Sequence, residues 1–300
     1  MAFTGTPTLR RLRVIKAIIE TNRGEFVAPT QAGHVYDLKM ESNSEYIDRK
    51  GTGLYRGHQF QGAQGEATGK VTFRTELKGD GAHHLDAFDA ILLQACGLVK
   101  ATEVYSVHSG QALDETISIA GWQDGLKKMM QGAMGNVRIS GEHGKPVYLE
   151  CDFDGFWLPP TGEAMPAWTP STVQPILFDG GAVTVATNAM KLSRFEIDLG
   201  IKPVNMSGDY FGLADYDIVL TIDPLEYLVA DKDWHGIKLA ETESAVSIPI
   251  TDGTDIITIT MPKVQIKQLG DAEREGFNSL DLTGECHHSA GNDALSIAVT

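Results

Sequence analysis

Alternation of apolar and polar residues at a period of two recurs along this chain and restricts it to a fold built from half-buried strands. Gly69 to Leu77, Thr116 to Ile119, Val147 to Phe153 and Arg194 to Leu199 all follow the pattern. In a strand that period sends one set of side chains into a core and the other into solvent, as in antiparallel sheets wetted on one side. Helical spacing occurs convincingly in only two places. Leu85, Phe88, Leu92 and Cys96, with Ile91 and Ala95 beside them and Gly97 as a stop, predict one helix. Asp223 as N-cap, Pro224 at the first helical position, and Leu225, Leu228 and Val229 on one face predict a second. One helix per half among many strands predicts a mainly β, α+β arrangement.

Five of the twelve prolines, Pro159, Pro160, Pro166, Pro170 and Pro175, fall within 17 residues. Such a stretch continues neither a helix nor a central strand, so an element should end near Trp157. On either side similar landmarks recur 127 to 129 residues apart. Ser118-Ile119 matches Ser247-Ile248, the turn Asp124-Gly125 matches Asp252-Gly253, Val137-Arg138-Ile139 matches Val264-Gln265-Ile266, and Gly155 matches Gly284. Asp-Gly between alternating runs is a hairpin signal, and its repetition in order predicts one supersecondary plan used twice. The expected organisation is a first domain at 1–157, a proline-rich linker at 158–175 and a second, similar domain at 176–300.

With 300 residues, 42% hydrophobic and 22% charged, the chain is large enough to bury such cores. The start has basic residues but no secretory apolar run, so synthesis and folding in a cytoplasm are expected. Cys96, Cys151 and Cys286 are too widely spaced for a disulfide framework and are expected to be reduced thiols. The net charge of −15 opposes tight wrapping of nucleic acid. It is uneven: residues 1–100 hold 13 bases and 11 acids, whereas residues 201–300 hold 6 and 17. The first third could therefore attract the last third of a neighbouring copy.

Catalytic patterns are weak throughout. His83-His84 and Cys286-His287-His288 cluster possible metal ligands, but adjacent strand residues point to opposite faces and the spacing fits no ligand motif. Gly62-Ala63-Gln64-Gly65 and Gly132-Ala133-Met134-Gly135 lead into strands rather than helices, and are better read as loop or hairpin glycines than as phosphate cradles. The carboxylate pairs Asp152/Asp154, Asp215/Asp217 and Asp231/Asp233 read as solvated strand faces. No enzyme, metal or cofactor is expected.

Read in order, the chain resembles the tail tube proteins of long-tailed bacteriophages with non-contractile tails. The resemblance rests on Gly69 to Gly79 followed by Ala87 to Gly97, then Asp124-Gly125, Gly132 to Val137, Gly144-Lys145-Pro146, Phe153 to Phe156 and Gly291 to Ile297. It implies two tandem β-sandwich domains, each flanked by a helix, whose inner strands close a barrel in the oligomer. Rings, trimers with pseudo-sixfold symmetry in two-domain members of that family, would stack into a tube through which double-stranded DNA leaves the virion. The implied partners are other copies of the chain, a tape measure protein, tail terminator and distal tail proteins, and DNA passing without specific binding. No membrane is involved, and the implied location is the virion tail after synthesis in the bacterial host.

Within that reading, Gln31 to Arg56 is the expected inter-ring loop, with Glu41, Ser42, Asn43, Arg49, Lys50 and Gly51 as its candidate residues. Glu196, Asp198 and Asp281 are candidate lumen residues. Two alternatives accompany it: a β-sandwich module binding carbohydrate or protein through Trp122, Trp157, Trp168 and Trp234, and a metal-dependent hydrolase using the histidine and carboxylate sets.

Overall fold

The computed structural model describes residues 9, 13–51, 60–110, 114–169, 172–180, 183–186, 188–251 and 254–300. The turn Asp252-Gly253, and Pro170, Gly53 and Arg56, lie outside the described residues. Strands account for 56% and helices for 6% of the described residues, so the chain is mainly β.

The first half contains β1 (Arg13–Ile19), β2 (Gln31–Gly33), β3 (Val35–Ile47), β4 (Ala63–Glu76), α1 (Ala87–Ala95), β5 (Leu98–Ala101), β6 (Val104–Val107), β7 (Ile117–Gln123), β8 (Leu126–Glu142) and β9 (Tyr148–Gly162). The second contains β10 (Val183–Val185), β11 (Asn188–Met190), β12 (Arg194–Asp198), β13 (Pro203–Asn205), β14 (Phe211–Leu213), β15 (Val219–Ile222), α2 (Trp234–Leu239), β16 (Ser244–Thr251), β17 (Ile256–Arg274), β18 (Phe277–His287) and β19 (Ser296–Val299). The strand pairs described here are all antiparallel.

One connectivity occurs twice. In the first half β1 pairs with β2 and β7, and the pairing continues through β8, β9 and β4 to β3. In the second, β10 pairs with β11 and β16, and the pairing continues through β17, β18 and β15 to β12. Val137 lies on β8 and Val264 on β17, the fourth strand of each series. The halves are joined by β8 with β12 and by β6 with β19. A hydrophobic core runs through both, from Phe73, Phe88 and Phe153 to Phe178, Phe195 and Trp234.

Helix α1 forms where its spacing predicts. The Asp86 side chain accepts from the Phe88 amide at 2.9 Å, satisfying one unpaired N–H of the first turn. Gly97, at φ 73°, turns the chain out of the helix where a Cβ would be strained. The other predicted helix does not form at Asp223. That carboxylate is drawn inward to accept from the Ser193 and Arg194 amides, both at 2.9 Å, and from the Ser193 hydroxyl. The following backbone lies along β18, where Pro224 accepts from the Leu280 amide and Glu226 donates to Asn278. Helix α2 starts ten residues later, with Asp233 accepting from the Gly236 amide at 2.7 Å.

Three further expectations change. Strand β9 runs past Trp157 to Gly162 and includes Pro159 and Pro160. Beyond Phe156 it pairs with β8 but no longer with β4, and its register with β8 shifts there, so the missing proline N–H groups sit at an open edge. Gly132 to Gly135 lie inside β8 at an irregularity, with Gly132 at φ 59°, and Ala63-Gln64-Gly65 open β4. Glu41 to Glu45 form no loop: they continue β3, and Glu41 to Ser44 pair with β4. Long-range ladder bonds supply what their loop-prone composition lacks.

Candidate assembly surface

Eight strands form one uninterrupted run, β3-β4-β9-β8-β12-β15-β18-β17. It consists of two four-stranded series of the same order, joined where Arg138 to Glu142 of β8 meet Arg194 to Asp198 of β12. Pairing across each ladder places side chains on shared faces. Met40, Val71, Phe153, Ile139, Ile197, Leu220 and Leu282 are buried on one side. The opposite side carries Glu41, Lys70, Asp154, Asp152, Glu150, Arg138, Glu196, Asp198, Thr221, Thr283 and Asp281. The three lumen candidates, Glu196, Asp198 and Asp281, therefore share one polar face.

Carboxylates outnumber cations on that face and engage them. Arg138 bridges the junction, lying 3.1 Å from Glu196, 3.0 Å from Asp198 and 3.9 Å from Glu150. Its hydrogen bond to Asp198 heads the causes that hold its guanidinium above the ordinary value. Burial works against the Asp198 charge, yet the Asn136 side chain, the Gly200 amide and Arg138 together hold its carboxyl below the ordinary value. Lys70 pairs with Asp152 at 2.7 Å, Arg194 with Asp281, and Lys267 with Glu285. Burial pushes the Asp154 carboxyl up, partly opposed by Lys70. The Arg74 guanidinium lies 4.4 Å from the Tyr148 ring centroid. This face offers a polyanion few cations that lack a carboxylate or aromatic partner.

Both ends of the run are open edges among the described pairings. β3 pairs only with β4. β17 is paired with β16 up to Val264, and over Ile257 to Thr260 also with β19 on its other side, but from Gln265 to Arg274 it pairs only with β18. Unpaired N–H and C=O groups along such edges favour addition of another strand.

The remaining candidates fall elsewhere. Glu41, Ser42 and Asn43 lie in the long β3–β4 arm, and Arg49, Lys50 and Gly51 follow its first strand; all are exposed. Cys286 and His288 line a 570 Å³ cavity between the halves, together with Cys96, His108, Asp114 and Tyr216. There the Tyr216 hydroxyl lies 2.6 Å from His288, and His108 lies 3.3 Å from Asp114, whose carboxyl is pushed up by burial. His287 lies 3.0 Å from Glu243, and His83 lies 3.5 Å from Asp255. Among the described residues no group of three histidine, cysteine or acidic side chains converges as a metal site. Trp122 and Trp234 are buried and Trp168 stacks on His34, which removes Trp122 and Trp234 as exposed platforms for a sugar.

The edge geometry was missed by sequence reasoning. The only prior signal was the repeat, which implied that a strand of each type occurs twice. No helix of the described residues is long and apolar enough to cross a membrane. No protein-family model matches the chain, and no curated protein matches it either.

Proposed function

We propose that this chain is a structural tail tube subunit of a non-contractile phage tail, built as two tandem β-sandwich units and assembling into rings that stack around a DNA channel. The observation that carries the reading is the junction inside the chain. The last strand of the first series, β8, pairs edge to edge with the first strand of the second, β12. The strands in the same positions at the outer ends, β17 and β3, are open. Repeating the internal junction between copies joins β17 of one to β3 of the next, satisfies both edges, and continues the polar face around a ring. Three copies supply six such series. The acidic face then lines the channel, where it disfavours the counterion release that would hold DNA. The chain's part is mechanical, with no chemical step.

Register makes the proposal specific. Glu196 faces Thr221, which faces Thr283; Glu41 faces Lys70, which faces Asp154, and Thr283 and Asp154 precede the matching glycines Gly284 and Gly155. Met134 faces Asp154 and Gln268 faces Thr283, so Ser140, six residues beyond Met134, corresponds to Arg274, six beyond Gln268. Since Glu196 pairs with Ser140 within the chain, Glu41 of one copy should pair with Arg274 of the next. The double variant Glu41→Cys with Arg274→Cys, oxidised after assembly, should give covalently closed rings on denaturing gels and three-membered rings by electron microscopy. Failure to cross-link, in protein that imaging also shows to be monomeric at high concentration, would overturn the reading.

A further inference from the structure

At the junction inside the chain the two edges meet through apolar side chains. Val137 and Ile139 of β8 and Phe195 and Ile197 of β12 are buried, and a Cβ on Gly141 would meet the Phe195 ring. The outer edges carry different residues at the corresponding places. Counted from Gln268 as the counterpart of Met134, the counterparts of Val137, Ile139 and Gly141 are Asp271, Glu273 and Glu275. Counted from Glu41 as the counterpart of Glu196, those of Phe195 and Ile197 are Met40 and Ser42. Asp271 and Glu273 share one side of β17, Glu275 follows in its turn, and all three are exposed. Cations near this acidic end are engaged elsewhere: Lys267 pairs with Glu285, Arg274 lies 3.6 Å from Asp223, and Lys232 lies 4.9 Å from the Trp234 ring centroid.

Beside the β3 edge lies a 280 Å³ cavity whose wall includes Arg13 of β1 and Lys128 of β8. The Arg13 guanidinium donates to the Leu38 carbonyl and the Lys128 ammonium to the Met40 carbonyl at 3.1 Å, so both reach the backbone of β3 on the side that β4 leaves free. Each cation has donors to spare, and the Arg13 Nε is buried without a hydrogen-bond partner. Neither forms an ion pair among the described residues, whereas neighbouring Lys127 is held by Glu163 at 2.9 Å. Lys39 and Glu41 also line the cavity, but alternation turns their side chains to the polar face. We infer that this basic cavity receives the acidic end of β17 from a second copy, with Arg13 and Lys128 taking the Glu273 and Glu275 carboxylates. Pairing Glu41 with Arg274 brings Met40 opposite Glu275 and Ser42 opposite Glu273, beside these cations. Two β17 ends repel each other, as do two β3 edges, so the charges select the unlike pair and make the joint between copies sensitive to salt where the internal one is apolar. The inference rests on the ring reading for its occupant, and names the groups that decide which edges join.

Charge reversal in the full-length chain tests it. Arg13→Glu with Lys128→Glu makes the cavity acidic, and Glu273→Lys with Glu275→Lys makes the β17 end basic. Each variant alone should sediment as a monomer where the unmodified chain gives rings. Mixed, they should associate in pairs and open chains, because each supplies what the other lacks and an odd ring cannot alternate. All four substitutions in one chain should restore rings. Rings from either reversed variant at the concentration the unmodified chain needs would overturn the assignment and leave the ring reading standing. So would chains that circular dichroism shows to be folded but that associate neither in the mixture nor with all four substitutions. Should a reversal unfold the chain, Arg13→Gln with Lys128→Gln replaces it and should raise the concentration for ring formation about tenfold. Its rings should also respond less to added salt, and an unchanged concentration and salt response would overturn the assignment. An unmodified chain that remains monomeric when concentrated at low salt would overturn both readings.

Discussion

Glu20 receives four hydrogen bonds in a buried site: the Thr116 and Ser118 hydroxyls at 2.7 Å and the Gly24 and Gly132 amides at 2.8 Å. These donors come from β7 and the residue before it, from β8 and from the segment after β1, so one carboxylate ties together three stretches distant in sequence. An amide in its place would point N–H groups at one of the two backbone donors in either orientation. Glu20→Gln should therefore cost about 1–3 kcal/mol in chemical denaturation, and an unchanged midpoint would show that the site rearranges freely. Asp89 poses the opposite problem. Burial first, and then the Asp86 charge, push its carboxyl well above the ordinary value, although the Lys78 amide donates to it at 3.2 Å. The folded chain thus holds this proton to higher pH than the unfolded chain. Its contribution is intact below the ordinary carboxylate range and declines as pH rises through the raised folded value. Asp89→Asn should raise stability at neutral pH and flatten this part of the pH profile, measured as the difference in midpoint from the unmodified chain at acidic and neutral pH.

At the scale of elements, the β8–β12 ladder is the joint that makes two series into one run, and Arg138 is its main charged tie. The side chain is 44% exposed, and pairs of that exposure contribute little individually because water and salt screen them. Its removal nonetheless leaves Glu150, Glu196 and Asp198 facing one another. Arg138→Ala should lower stability by about 0.5–1 kcal/mol, with a larger loss at low salt than at high salt. Denaturation at two ionic strengths measures this, and a salt-independent effect would mean that packing of the arginine stem matters more than its charge. The segment 223–229 teaches a related lesson. Asp223 and Pro224 are good helix starters, yet a buried carboxylate with three donors and a ladder contact to β18 outweigh that local preference.

For the whole molecule, the distribution of charge matters more than its total. The net −15 includes many exposed acids away from the polar face, whereas Glu196 and Asp281 stand where a passing duplex would run under the tube proposal. Each already neutralises an arginine, so reversing both leaves Arg138 and Arg194 without those partners. Glu196→Lys with Asp281→Lys should convert the face to one that retains DNA. Mobility-shift measurements would read this as binding that weakens steeply with added salt, and no gain in binding would place this face away from the channel.

Much of this was legible in the sequence because it is local. Period-two alternation alone separated Glu196 and Asp198 from Phe195 and Ile197, and helical spacing with Asp86 and Gly97 at its ends marked α1. Matched landmarks around Val137 and Val264 pointed to a plan used twice. Partner choice was not legible: nothing near Glu41 to Glu45 says that Ala67 to Lys70 will pair with them, and nothing near Arg194 says that β8 lies beside it. A strand's faces are decided by its own residues, whereas its neighbours are decided by backbone bonds and packing between segments far apart in the chain. Those long-range pairings exist only once the tertiary structure has formed, and they determined which edges are closed and which are left for another copy.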